Sequence, residues 1–236
     1  MNRLIRCLLL ALWAAAWGYA QDTSLPTAQP RAYKVGGTPI VIGSPAKDLV
    51  EVGDDKRPMM ENFVPASNRL LAAFVLTDDL PRLAKDATGV GMERYALVEV
   101  ARRNEDADFE ASDFNAVVDT LKTQFGDIVS STKSDVEDEF NNRMKALHLN
   151  EATVSLGKPI QLGCTFSKPD GYGFGLIVPV TRDSATTNMG MGGAVMRARK
   201  RLLFVYLYAE YQNEETVKWL RVTSEAWVDA ILGANP

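Results

Sequence analysis

The chain has 236 residues, a formal net charge of −4, one histidine and two cysteines. The acidic balance argues against nucleic acid and against electrostatic docking on anionic lipid, both of which reward a basic face. So few histidines and cysteines exclude the usual zinc ligand sets, and no metal site is expected.

Residues 1–20 read as a secretory signal peptide. Asn2-Arg3-Leu4-Ile5-Arg6 is basic, Cys7 to Trp17 is apolar, and Gly18-Tyr19-Ala20 places small residues at a cleavage site. The apolar run falls short of the roughly 20 residues of a membrane span. A retained N-terminal anchor is the alternative. The expected location is therefore periplasmic or secreted, with no membrane span after cleavage. Cleavage would leave Cys164 as the one cysteine, which rules out an intramolecular disulfide. In its apparent strand, Cys164 is expected as a buried, inert thiol.

Residues 21–35 contain Pro26 and Pro30 and read as a flexible leader. One domain is expected over residues 36–236. Thr38 to Ile42 is a short strand with Pro39 near its start, which suits an edge. Ser44 to Val52 continues extended, and Gly53 to Lys56 is a turn. Asn68 to Leu76 and Glu93 to Ala101 are stronger strands. In the second, Tyr95, Leu97 and Glu99 stand opposite Ala96, Val98 and Val100.

Two helices are expected next. Ser112 caps the first, with Phe114, Val117, Val118, Leu121, Phe125 and Ile128 on one face. Ser134-Asp135-Val136-Glu137 forms a capping box for the second, which carries Val136, Phe140, Met144 and Leu147. Pro159 to Phe166 and Tyr172 to Val180 are strands joined by a turn at Lys168-Pro169-Asp170-Gly171. Thr181 to Ala198 reads as a loop because of Gly190, Gly192 and Gly193.

Arg201 to Glu210 is a central strand with two apolar sets, Leu203/Val205/Leu207 and Leu202/Phe204/Tyr206/Tyr208, so both of its faces should be covered. Asn213 caps a closing helix whose apolar face is Val217, Leu220, Ser224, Trp227, Val228 and Ile231. Gly233 is expected to end it in a left-handed conformation. The fold class is α+β: one mostly antiparallel sheet of about six strands with helices on both faces.

This order resembles that of the PsbP-like α/β/α sandwich, named for an extrinsic photosystem II subunit and shared by periplasmic proteins. It runs from an opening Pro-containing strand through the Asn68–Leu76 and Arg94–Val100 strands and paired helices to a hairpin, a long strand and an amphipathic helix. The resemblance spans roughly residues 36–233 and implies a non-catalytic accessory or assembly protein. It transfers no functional residues.

Several groups have chemistry to offer. His148 lies where a cation suits a helix C-terminus, and no Gly-x-Ser-x-Gly elbow accompanies it. Glu105 to Glu110 concentrates carboxylates ahead of a helix but lacks the spacing of a calcium loop, so it reads as a solvated acidic turn. Gly171-Tyr172-Gly173-Phe174-Gly175 enters a strand, and Gly89-Val90-Gly91 precedes one, whereas a dinucleotide fingerprint opens a helix.

The expected binding surface is the stretch Thr181–Ala198 with its flanks. It combines adaptable Asn188, Met189 and Met191 with the basic residues Arg182, Arg197 and Arg199, a set suited to a carboxylate, a phosphate or an acidic partner. No cofactor and no catalytic residues are implied. The expected function is binding of a protein or cell-envelope component. The alternatives are a periplasmic hydrolase whose carboxylates lie far apart in sequence and a carrier with an apolar cavity.

Overall fold

The computed structural model describes residues 29–83, 92–146, 154–182 and 184–236. The signal-peptide reading, Gly89–Gly91 and His148 fall outside the described residues.

β1 (Arg31–Val35) and β2 (Thr38–Ile42) form an antiparallel hairpin. Its turn is Gly36-Gly37, with φ of 52° and 78°, and a Cβ on Gly36 would collide with the Glu105 carbonyl. Glycine meets both demands. The end of the expected flexible leader is therefore ordered. Tyr33 and Val35 are buried while their neighbours are exposed, a period of two that the nearby prolines mask in the sequence.

The remaining strands form one antiparallel sheet. They are β3 (Leu49–Glu51), β4 (Asn68–Leu76), β5 (Arg94–Ala101), β6 (Val154–Leu156), β7 (Ile160–Lys168), β8 (Gly171–Arg182), β9 (Ala185–Ala198) and β10 (Arg201–Glu210). Their order is β3-β4-β5-β10-β9-β8-β6, with β7 also paired to β8. Among the described residues the sheet thus has eight strands rather than about six. One reason is that most of the expected loop Thr181–Ala198 is β9, the longest strand described.

The glycines of β9 permit close approach rather than disorder. A Cβ on Gly190 would lie 2.7 Å from the Leu220 side chain, one on Gly192 would collide with Ser224, and one on Gly193 would strike the Phe174 ring. Gly in a strand often marks such contacts.

The helices are α1 (Arg57–Met60), α2 (Leu80–Leu83), α3 (Ala111–Ala146) and α4 (Glu214–Ala234). α3 is continuous over 36 residues where two helices were expected. A capping box is permissive, and serine inside a helix costs only a few tenths of a kcal/mol. No glycine or proline follows Gly126 before the end of α3 to interrupt it. At the start of α3, the Asp113 carboxylate, not Ser112, accepts from the Glu110 N–H at 2.9 Å.

α4 begins as expected, with Asn213 Oδ1 accepting from Glu215 N at 2.9 Å. Leu220, Ser224, Trp227, Val228 and Ile231 are buried, and Val217 is half-buried. The helix runs past Gly233 to Ala234, so Gly233 is not a left-handed cap. Asn235 closes it instead. Its Nδ2 donates to Ile231 O at 2.8 Å and to Val41 O at 2.7 Å, and its Oδ1 accepts from Val41 N at 2.7 Å. One side chain thus ends α4 and ties it to β2.

Alternation along β10 divides the core. Leu203, Val205, Leu207 and Ala209 face α4 and the β1–β2 hairpin. Leu202, Phe204, Tyr206 and Tyr208 face the other way, toward α3 at one end and α1 at the other. Arg201 pins the hairpin to the acidic segment. It donates to Thr38 Oγ1 (3.1 Å) and Ala107 O (2.9 Å) and pairs with Asp108 (3.1 Å).

Candidate functional site

The face of the sheet away from α4 gathers its unusual groups where β5, β10 and β9 lie side by side. Register places Glu99 opposite Phe204, Leu97 opposite Tyr206 and Tyr95 opposite Tyr208. On the next strand, Val195, Gly193 and Met191 continue the same three rows. Because Gly193 carries no side chain, the Phe174 ring lies over it beside Tyr206.

Glu99 is 2% exposed, in a strand otherwise apolar from Ala96 to Ala101. Its Oε2 accepts from Asn68 Nδ2 at 2.9 Å, and no cation among the described residues pairs with it. Burial pushes the carboxyl up to about 7, against the opposing effect of the Asn68 hydrogen bond. Desolvation disfavours the charged form, and one neutral donor does not offset it.

The three tyrosines form a half-buried aromatic row. Tyr95 and Tyr208 stack at 4.4 Å and 13°, and Tyr206 lies 6.3 Å from Tyr208. Phe63, beyond α1, tilts over Tyr95 at 5.9 Å. Burial raises all three phenols well above their ordinary value, and the nearby Glu99 carboxylate adds to this. The tyrosines therefore remain protonated across the physiological range, as hydrogen-bond donors with electron-rich faces. A buried acid that can ionise near neutrality beside such a row can receive a positive charge.

The six residues expected to bind do not form one surface. Met191 lies on this face next to Tyr208, and Met189 is two residues along the same strand, opposite Glu210. Asn188 is exposed, and its carbonyl accepts from Tyr211 N at 2.7 Å. Arg182 ends β8, opposite Ala185. Arg197 is at the far end of β9, where its guanidinium grips Asp170 at 2.6 and 2.7 Å. Arg199 sits in the β9–β10 turn with φ of 49° and donates to Pro39 O at 3.0 Å.

The acidic segment is likewise occupied. Glu105 pairs with Arg69, Asp108 with Arg201 and Glu110 with Lys200. These carboxylates are ion-paired rather than merely solvated. Among the described residues no group of three or more metal-ligating side chains could hold an ion. Cys164 is exposed rather than buried, because β7 is an outer strand whose first five residues all face solvent.

Glu99 was visible in the sequence only as one of the alternating positions of β5. The signal that singles it out is a lone charge in a strand apolar on both faces.

No protein-family model matches the sequence, and no curated protein matches it. Among solved structures, the chain is similar to cyanobacterial PsbP from Synechocystis sp. PCC 6803, at 13% identity and a TM-score of 0.36, over 86% of this chain and 92% of that one. It is also similar to the Ran-binding protein Mog1p of Saccharomyces cerevisiae, at 10% identity and a TM-score of 0.35, over 88% of this chain and 94% of that one. The described elements form an α+β fold, a mostly antiparallel sheet with helices. No helix among the described residues is long and apolar enough to cross a membrane.

Proposed function

We propose that this chain is an exported, non-catalytic binding protein that holds a cationic group of its ligand against the tyrosine row, with Glu99 as the counter-charge. The observation carrying this reading is the burial of Glu99 with the Asn68 amide as its one hydrogen-bond partner among the described residues, on a face that also presents Tyr95, Tyr206 and Tyr208. Leaving a buried carboxylate without a cation is costly. A ligand ammonium would relieve that cost, and aromatic faces add about 0.5–2 kcal/mol of attraction. Met191, flexible and polarisable, suits the rim of such a site. Export rests on the basic, apolar and small-residue pattern of residues 1–20. The ligand is then a periplasmic or extracellular protein or envelope component bearing an amine or quaternary ammonium.

Calorimetric titration with tetramethylammonium and with methylammonium at pH 6.5 tests this. Saturable binding with release of a proton is expected, because the cation favours ionised Glu99. Glu99→Gln should abolish both the binding and the proton release. Absence of saturation at millimolar concentration, or equal binding by Glu99→Gln, would overturn the reading. A second reading, a hydrolase with Glu99 as its acid–base group, draws on the same titration near neutrality. Turnover of ester or glycoside substrates that Glu99→Gln removes would favour it.

A further inference from the structure

The tyrosine row has a second acidic end. β10 keeps its alternation to its last residue: Phe204, Tyr206, Tyr208 and Glu210 are half-buried, while the residues between them are buried. Glu210 therefore stands on the same face as the tyrosines, opposite Met189. Its backbone N–H donates to the Glu93 carbonyl at 2.8 Å, which brings a further acid to this end. No ion pair among the described residues engages Glu93 or Glu210.

Asp79 belongs to the same end. It precedes α2, whose Leu80 packs against the same apolar cluster as Tyr95 and Tyr208. Asp79 is 5% exposed, gives Oδ1 to Arg82 at 3.1 Å, and leaves Oδ2 with no hydrogen-bond partner. The charges of Glu93 and Asp78 act on it. A buried carboxylate oxygen without a donor is costly, and an ammonium group would supply one.

The two ends lie far apart. Glu99 stands opposite Phe204, and Glu210 is six residues further along β10. At roughly 3.4 Å per residue that separation is about 20 Å. Tyr206, Tyr208 and Tyr95 fill the interval, with Met191 beside them. A small monocation meets one end only. A chain carrying ammonium groups along its length meets both, with its methylenes on the rings and an inner ammonium against their faces.

The strands beneath restrict what that chain can be. β5, β10 and β9 are interior strands paired on both sides, so their backbone groups are spent on one another. A peptide would find no backbone partner on this face, whereas an alkyl chain needs none.

We propose that the ligand is a linear polyamine, bound lengthwise along the tyrosine row with one end at Glu99 and the other at Glu210 and Asp79. This rests on the reading of the row as a cation site and narrows its amine to a chain.

Calorimetric titration at physiological salt tests it, with spermine, butylammonium and an extended peptide bearing two lysines as probes. Spermine should bind about 100-fold more tightly than butylammonium, because its second contact is intramolecular once the first is made. Glu210→Gln and Asp79→Asn should each cut that preference about tenfold. Asp106→Asn, exposed beside the β1–β2 turn, should keep it. If Asp79→Asn does not fold, Glu210→Gln decides. Failure of butylammonium and spermine alike would overturn the cation reading and this inference with it. Butylammonium binding without a preference for spermine, or a preference indifferent to Glu210→Gln, would overturn this inference alone. A peptide that binds as tightly as spermine would overturn it in favour of a protein ligand.

Discussion

On the α4 face, Trp227 and Asn235 meet partners brought from the opposite end of the chain. Trp227 Nε1 donates to Gly43 O at 2.7 Å, and Asn235 makes two bonds to the Val41 backbone. On the opposite face, Glu99 is buried with one amide as partner among the described residues, and three tyrosines are half-buried. Both faces belong to the same strands, and alternation alone decides which residue goes where. The first face is therefore arranged for stability, while the second retains an electrostatic cost that a ligand can relieve.

Truncation should break the closed face most severely. Trp227 is 2% exposed and meets Phe74 edge-on at 5.7 Å. Trp227→Ala should cost about 3–5 kcal/mol in urea melts through the cavity and the lost bond to Gly43. Trp219 is half-buried with the Arg94 guanidinium 5.2 Å from its ring centre, so Trp219→Ala should cost only about 1 kcal/mol. Equal losses would erase the distinction between the two sides of α4.

Glu99→Gln should sharpen the contrast from the other face, because it stabilises. Burial pushes the folded-state carboxyl up to about 7, from an ordinary value of 4.5. Below pH 4.5 the acid is protonated in both states and costs nothing. Between 4.5 and 7 the unfolded chain ionises first, so stability falls. Above 7 the full penalty of about 3 kcal/mol applies. The substitution should return most of this at pH 8 and little at pH 4, as read from denaturation midpoints across pH. A gain that did not vary with pH would mean that Glu99 is not the titrating group.

Arg201→Ala should cost about 2–3 kcal/mol, since it leaves Ala107 O and Thr38 Oγ1 without their donor. Amide exchange should accelerate in the β1–β2 hairpin more than in β10. Uniform acceleration would show that Arg201 is not a local pin.

The smallest effect concerns the β9–β10 turn, where Arg199 and Lys200 hold φ of 49° and 66°. Lys200→Gly should stabilise by about 0.5–1 kcal/mol, because the relief of a left-handed side chain exceeds the loss of an exposed pair with Glu110. A loss of stability in thermal melts would assign that ion pair more weight than its exposure allows.

Strands β2, β4 and β5, the central β10 and the cap and face of α4 were legible because each is set by local chemistry. Their apolar residues recur at period two or 3.6, and turn or cap residues bound them. β9 was not legible, since its glycines carry no hydrophobic signal, and their purpose appears only with Leu220, Ser224 and Phe174 overhead. The division expected at Ser134 failed because a capping box permits a helix start without requiring one. Of the site, Met189 and Met191 were legible as adaptable side chains, while Arg197 and Arg199 drew notice as free charges although the fold engages both.

By itself, the sequence determined the α+β class, the alternation that gives each strand two faces, and the helix that closes one of them. These depend on residue spacing, which the chain carries locally. Only the tertiary structure decided that Glu99 is buried with no cation beside it among the described residues, that the acidic and basic runs neutralise each other, and that β7 with Cys164 is an edge. Burial, pairing and edge position depend on which distant segments lie alongside, and the fold brings residues up to 194 positions apart into contact, as where Asn235 at the end of α4 meets Val41 of β2.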